Sequence, residues 1–90
     1  MRLDKYLFFV RLLKSRTQAQ ALIEEGRTRI DGRRALKTSD TVRVGSTVTM
    51  PLRGSIRVIR VLSLPGRRGP APEARACYED VGVDEGPGAA

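Results

Sequence analysis

Residues 15–32 read SRTQAQALIEEGRTRIDG, and the change of period inside this stretch decides the fold. Ser15-Arg16-Thr17-Gln18 is a capping box: the serine hydroxyl can take an orphan amide of the first turn while Gln18 reaches back. Ala19, Leu22 and Ile23 then fall on one narrow helical face. Gly26 ends the helix, because a residue in the left-handed region is needed there and glycine adopts it without a Cβ penalty. Past Gly26 the period becomes two. Thr28 and Ile30 point one way, and Arg27, Arg29 and Asp31 the other. Asp31-Gly32 predicts a type I′ hairpin turn, since both central positions of that turn need positive φ.

Working outward, Leu3, Tyr6, Leu7 and Val10 form an apolar stripe at helical spacing, with Asp4 placed to favour the positive end of the helix dipole. Two short helices joined through residues 12–15 make a helical hairpin. Downstream, Val42 and Val44 lead to a turn at Gly45-Ser46, and Val48, Met50 and Leu52 alternate with Thr47, Thr49 and Pro51 as a half-buried strand. Arg53-Gly54-Ser55 turns the chain into a last predicted strand, residues 56–62, whose broken alternation predicts a bulge or partial exposure. Two helices followed by a small antiparallel sheet give an α+β fold. The predicted organisation is a domain over 1–63, an extended Pro/Gly/Arg segment over 64–80 with room for one helical turn within 74–80, and a disordered acidic tail over 81–90.

Ninety residues support one small core and little space for a buried catalytic cleft. Seventeen basic against ten acidic side chains leave a net charge of +7, and fourteen of the seventeen are arginine. The charge is segregated. Residues 51–72 hold five basic and no acidic side chains, whereas residues 73–90 hold one basic and five acidic. A basic body points to a polyanionic partner, and arginine suits phosphate because its planar fork can grip two oxygens. The chain has no histidine, which removes the commonest general base and metal ligand, and its one cysteine permits no internal disulfide and no cysteine zinc site. Glu24 and Glu25 are neighbours on an exposed helix end, and there is no glycine-rich phosphate loop. We therefore expect no enzyme activity, no cofactor and no metal. Cys77 is expected in a mobile tail. The N-terminal apolar run is short and broken by charge, so a cytoplasmic location is expected, with no membrane partner.

The candidate binding residues are Arg2, Lys5, Arg11, Lys14, Arg16, Arg27 and Arg29, joined by Arg33 and Arg34 after the hairpin turn. Lys14 and Arg16 flank the start of the second helix, where free amides and basic side chains would seat a phosphate. Phe8 and Phe9 lie among these charges. They fit either stacking on exposed bases or, the favoured reading, packing against the C-terminal segment. A second helix entering a DNA major groove is the weaker alternative, because the hairpin carries so much of the charge and no dimer seam is visible.

RLDKYL, then Arg11, then SRTQAQALIEEGRTRIDG resembles the S-four-type (alpha-L motif) RNA-binding domain over roughly residues 2–62. RRGPAPEARACYED is similar to the segment that follows this domain in the ribosome-associated fifteen-kilodalton heat-shock protein family. The resemblance implies a two-helix hairpin packed on a small twisted antiparallel sheet. It further implies RNA contacts at Arg2, Lys5, Arg11, Arg16, Arg27 and Arg29, with structural roles for Asp4, Ala19, Ile23, Gly26 and Gly32. The implied partners are ribosomal RNA and the large ribosomal subunit, including one blocked by peptidyl-tRNA; apart from the resemblance, a monomer is expected. A general RNA-binding regulator and a detached partner of an RNA-modifying enzyme are the alternatives. Thr28 stands where the family usually has valine, Ser46 stands where aspartate commonly follows the glycine, and the acidic end contrasts with the basic C-terminal segment of some relatives.

Overall fold

The apolar stripe of the first helix meets the sheet through side chains that are wholly enclosed. In the computed structural model, which describes residues 1–83, α1 spans Leu3–Phe9 and buries Leu3, Tyr6 and Leu7, with Val10 just beyond its end. No side chain caps α1. Its first amides are taken instead by carbonyls of a later loop, Leu3 N–H donating to Asp40 at 2.7 Å and Asp4 N–H to Thr38 at 3.3 Å. The second helix, α2, spans Arg16–Glu24 and buries Ala19, Leu22 and Ile23, the three positions its periodicity predicts. Ser15 Oγ accepts from the Gln18 amide at 3.0 Å, and Gly26 leaves the helix at φ +84°.

The hairpin follows at once. Strand β1 is Arg29–Ile30 and β2 is Arg33–Arg34, with Arg29 opposite Arg34 and Ile30 opposite Arg33. Asp31 at φ +52° and Gly32 at φ +84° make the predicted type I′ turn. Strand β3, Thr47–Leu52, buries Val48, Met50 and Leu52, and β4 is Ser55–Val61. The turn before β3 tolerates Ser46 because its hydroxyl accepts from the Arg43 amide at 3.1 Å, as a carboxylate oxygen would.

Beyond residue 63 the structure corrects the sequence reading. The helical turn lies earlier than expected, as α3 over Ala71–Arg75. Residues expected to end an extended segment and begin an acidic tail form a fifth strand, β5, over Tyr78–Val83. The sheet is wholly antiparallel, in the order β2-β1-β3-β4-β5, so residues 56–62 are not the last strand. The expected bulge is present on the β4–β5 side: Val81 and Gly82 together oppose Val58, and Gly82 takes φ +115°. Charge explains why so polar a segment pairs. Glu79 lies directly across from Arg60, their charged groups 3.8 Å apart, and Asp80 accepts from Arg57 at 2.7 Å. Residues 84–90 of the expected tail lie outside the described residues.

This C-terminal strap is tied to α1. Tyr6 Oη donates to the Cys77 carbonyl at 2.9 Å within the core. Burial, and then the nearby Cys77 and Tyr78, push the Tyr6 hydroxyl well above its usual pKa, which keeps its proton in that bond. Cys77 is itself buried, not carried on a mobile tail. Arg68 donates to the carbonyls of Phe8 and Leu13 and lies 4.4 Å over the Phe8 ring. Phe9 lines a cavity with Pro65, Gly66 and Cys77. Both phenylalanines therefore pack against the C-terminal segment.

Thr28 is completely buried, and its Oγ1 has no hydrogen-bond partner among the described residues. An unsatisfied buried hydroxyl costs about 1–3 kcal/mol. Replacing it with a methyl of the same shape, Thr28→Val, should stabilise the chain by about 1 kcal/mol and raise Tm by roughly 4–8 °C. A thermal melt that falls instead would show that the hydroxyl has a partner in solution.

Candidate nucleic-acid interface

Asp4 is the centre of the basic face, although its sequence position suggests only a dipole partner. The residue is fully buried in the first turn of α1, and its carboxylate crosses to α2. Oδ1 accepts from Arg2 Nε at 3.1 Å and from the Lys5 amide at 2.7 Å. Oδ2 accepts from Arg2 Nη2 at 3.1 Å, Arg16 Nη2 at 3.2 Å and Gln20 Nε2 at 3.0 Å. Arg16 and Gln20 reach one carboxylate because residues four apart share a helix face. Burial acts to raise the Asp4 pKa. The bonds from Arg2, Gln20, Arg16 and the Lys5 amide outweigh it and hold the pKa at about 2. The result is a charged group with its oxygens occupied by protein donors. It clamps two arginine side chains that remain 46% and 42% exposed. Two positive charges against one negative leave the cluster cationic at its surface.

The start of α2 is less open than the expected phosphate seat. Besides the Gln18 amide capped by Ser15, the Lys14 amide donates to Gln18 Oε1 at 3.1 Å. Gln18 thus reaches one residue further back than a capping box requires, and internal acceptors use two of the amides a ligand would need. The Lys14 side chain stays exposed. Lys5 is half-buried, with its ammonium 5.4 Å from the centre of the Phe9 ring.

At the hairpin, Arg29 and Arg34 are cross-strand partners and therefore share a face. Arg27 alternates onto the same side, opposite the buried Thr28, and makes only an exposed 3.4 Å pair with Glu25. Arg29 donates to the Gly32 carbonyl at 3.2 Å, and neither Arg29 nor Arg34 meets an acidic group among the described residues. Arg33 is different. It stands opposite Ile30, so strand alternation assigns it to the other face, although Arg33 and Arg34 both border the groove that Met1 and Ile30 line. Arg11 also leaves the group: its Nε donates to the Gly69 carbonyl at 2.6 Å, and it borders a cavity built with the C-terminal segment. The structure therefore unites Arg2 and Arg16 at Asp4, and Arg27, Arg29 and Arg34 on the hairpin, about one helix length (~15 Å) farther along α2. Sequence reasoning missed Gln20, whose only signal is its spacing of four from Arg16.

Because the folded pKa of Asp4 lies below its ordinary 3.8, the group stabilises the fold fully above about pH 4. That contribution, about 2 kcal/mol, is lost as the pH falls through about 2. Asp4→Asn should lower stability at pH 7 by about 2 kcal/mol or more, since it leaves two arginines without their counter-charge. Urea unfolding of both proteins at pH 7, 4 and 2 checks this: the two curves should converge as the pH falls. A constant gap would mean that Asp4 acts through shape and not charge.

Comparison with known proteins identifies the family and the fold. The family model of the S4 domain matches residues 1–48. A heat shock protein 15 homologue of Haemophilus influenzae is 35% identical over 81 residues, which are 90% of this chain and 61% of that protein. The chain thus spans about three fifths of the length of the heat shock protein 15 relatives it matches. The RQC P-site tRNA stabilizing factor of Bacillus subtilis is 38% identical over 64 residues, covering 71% of this chain and 73% of that one. Among solved structures, the trimeric heat shock protein 15 of Vibrio cholerae superposes with a TM-score of 0.84 at 32% identity, covering 90% of this chain and 81% of that chain. With the family model, the curated relatives and the fold in agreement, the chain belongs to the S4 domain family.

Proposed function

We propose that this chain is a non-catalytic RNA-binding protein that engages ribosomal RNA on the large ribosomal subunit and acts in rescue or recycling of stalled subunits carrying peptidyl-tRNA. The observation that carries this reading is the pair of arginines, Arg2 and Arg16, clamped on the buried Asp4 carboxylate while their side chains stay partly exposed. Side chains already held in place lose little freedom when they meet phosphate. The hairpin adds Arg27, Arg29 and Arg34, of which Arg29 and Arg34 are like charges directly opposed across two strands. Such a pair is destabilising unless salt or an anion screens it.

Residues 1–63 are the proposed RNA-binding unit, braced by the segment that follows. Arg2, Arg16, Arg27, Arg29 and Arg34 take the main phosphate contacts, and Lys5 and Lys14 border them. Few groups on this face are suited to reading base edges, so the reading is of structured RNA by shape and backbone. The similarity to heat shock protein 15 and to a factor named for stabilising P-site tRNA supports the ribosome as the place of action. A ribosomal partner would place a single copy of the chain in the cytoplasm.

The test is sedimentation of the tagged chain through a sucrose gradient with ribosomal subunits. The wild type should co-migrate with large subunits, and Arg27→Glu with Arg29→Glu should move to the top of the gradient. Both side chains are exposed, so the double variant should melt within about 0.5 kcal/mol of the wild type. Wild-type protein that binds structured RNA but never follows large subunits would favour the general regulator. A folded double variant that still co-migrates would remove the hairpin from the site.

A further inference from the structure

Four arginines from four separate parts of the fold converge on an open cavity of about 520 Å³ at the C-terminal end of α1. Arg11 comes from just after α1, Arg53 from the β3–β4 turn, Arg57 from β4 and Arg75 from the last turn of α3. Val10, Leu12, Ala71 and Ala74 supply apolar wall, and Tyr78 adds an aromatic surface. Asp80 is the one acidic side chain lining the cavity, and it is engaged with Arg57 at 2.7 Å. Arg53 and Arg75 are exposed and form no ion pair among the described residues. Arg11 commits only its Nε, to the Gly69 carbonyl.

No single periodicity produces this convergence, and two of the arginines hold unfavourable backbone. Arg11 sits at φ +64° and Arg53 at φ +52°, a region that costs a non-glycine residue about 1–2 kcal/mol. Strain kept under an arginine, where glycine or asparagine would relieve it, points to a use for the side chain. Only part of the cavity, Val10, Arg11 and Leu12, belongs to the family's matched segment. That match ends at residue 48, and Arg53, Arg57 and Arg75 all lie beyond it.

We propose that this cavity is a second RNA site, which holds phosphates of a single-stranded segment distinct from the RNA on the Asp4 and hairpin face. The proposal rests on the RNA-binding reading above. Guanidinium forks match phosphodiester oxygens in pairs, and the Tyr78 ring offers a face on which a base can stack. Three guanidiniums without acidic partners around one hollow repel each other until an anion enters. The chain then bridges two RNA segments, one gripped by the helices and hairpin, the other by the strap.

The test uses the full chain with Arg53→Asn and Arg75→Gln; asparagine accepts the left-handed backbone at position 53. Titration of labelled protein with a short single-stranded RNA should shift the amide resonances of Leu12, Gly54 and Arg75. Those shifts should persist in the Arg27→Glu, Arg29→Glu variant and vanish in the cavity variant. For large-subunit binding, loss of about two phosphate contacts should flatten the slope of log K against log salt by roughly 1.4–1.8. Arg75→Gln alone should give about half that change. Unmoved cavity amides in the wild type, or an unaltered salt slope in a folded cavity variant, would overturn the second site. The two readings fail separately: binding lost only in the hairpin variant removes the cavity, and binding lost only in the cavity variant removes the hairpin face.

Discussion

A carboxylate sealed from water must be matched by donors, and the buried Asp4 oxygens set the condition on which the rest of the basic face depends. The penalty for burying an unpaired ion amounts to several kcal/mol, so the fold is consistent only if Arg2, Arg16 and Gln20 all arrive at one point. That requirement fixes the rotation of α2 about its axis and its distance from α1. It also reconciles two roles that look exclusive. Arg2 and Arg16 hold the helices together through some of their donors, and each has five. Arg16 Nε is enclosed without a partner among the described residues, but both side chains keep part of their surface in solvent. One acid thereby turns two flexible cations into an oriented pair.

The same logic of matched charge operates at the other end of the chain. The acidic block that follows residue 72 complements the all-basic stretch before it, and β5 lays Glu79 and Asp80 against Arg60 and Arg57 of β4. Exposed pairs of this kind contribute little singly. Their effect is on register, because a slip of one residue would move Glu79 from its place across from Arg60 and turn Tyr78 away from the core it borders. The bulge at Val81-Gly82 absorbs the irregularity that this pairing imposes.

Elements whose order is local were legible in the sequence. The Ser15 cap, the Ala19-Leu22-Ile23 face, the Gly26 stop, the Asp31-Gly32 turn and the alternation of β3 each follow from spacings of a few residues. What escaped depends on partners far along the chain. YEDVGV has few apolar positions and a glycine, so it reads as tail until β4 is present to pair with it. Asp4 reads as a dipole partner until α2, more than ten residues later, brings its donors. Of the candidate arginines, the structure gathers Arg2 with Arg16 and Arg27 with Arg29 and Arg34, and turns Arg33 away through strand alternation counted across a two-residue turn. Arg11 was assigned by its place beside α1, yet a left-handed backbone aims it at the strap, a conformation that no arginine codon announces.

The two groups of candidate arginines differ in what limits them, and in the proposed RNA-binding role that difference would shape recognition. Arg2 and Arg16 are held by hydrogen bonds to a buried anion, so most of their ordering entropy has been spent in folding. Arg27, Arg29 and Arg34 are exposed, Arg27 held by a weak pair and Arg29 by a carbonyl, so under the proposed role each would be ordered only on meeting RNA. The first group would therefore favour a phosphate at one defined place, and the second would adapt to the path of the strand leaving it. Arginines arranged this way would select RNA by the distance and direction between backbone positions, which is a property of folded RNA and not of a short sequence.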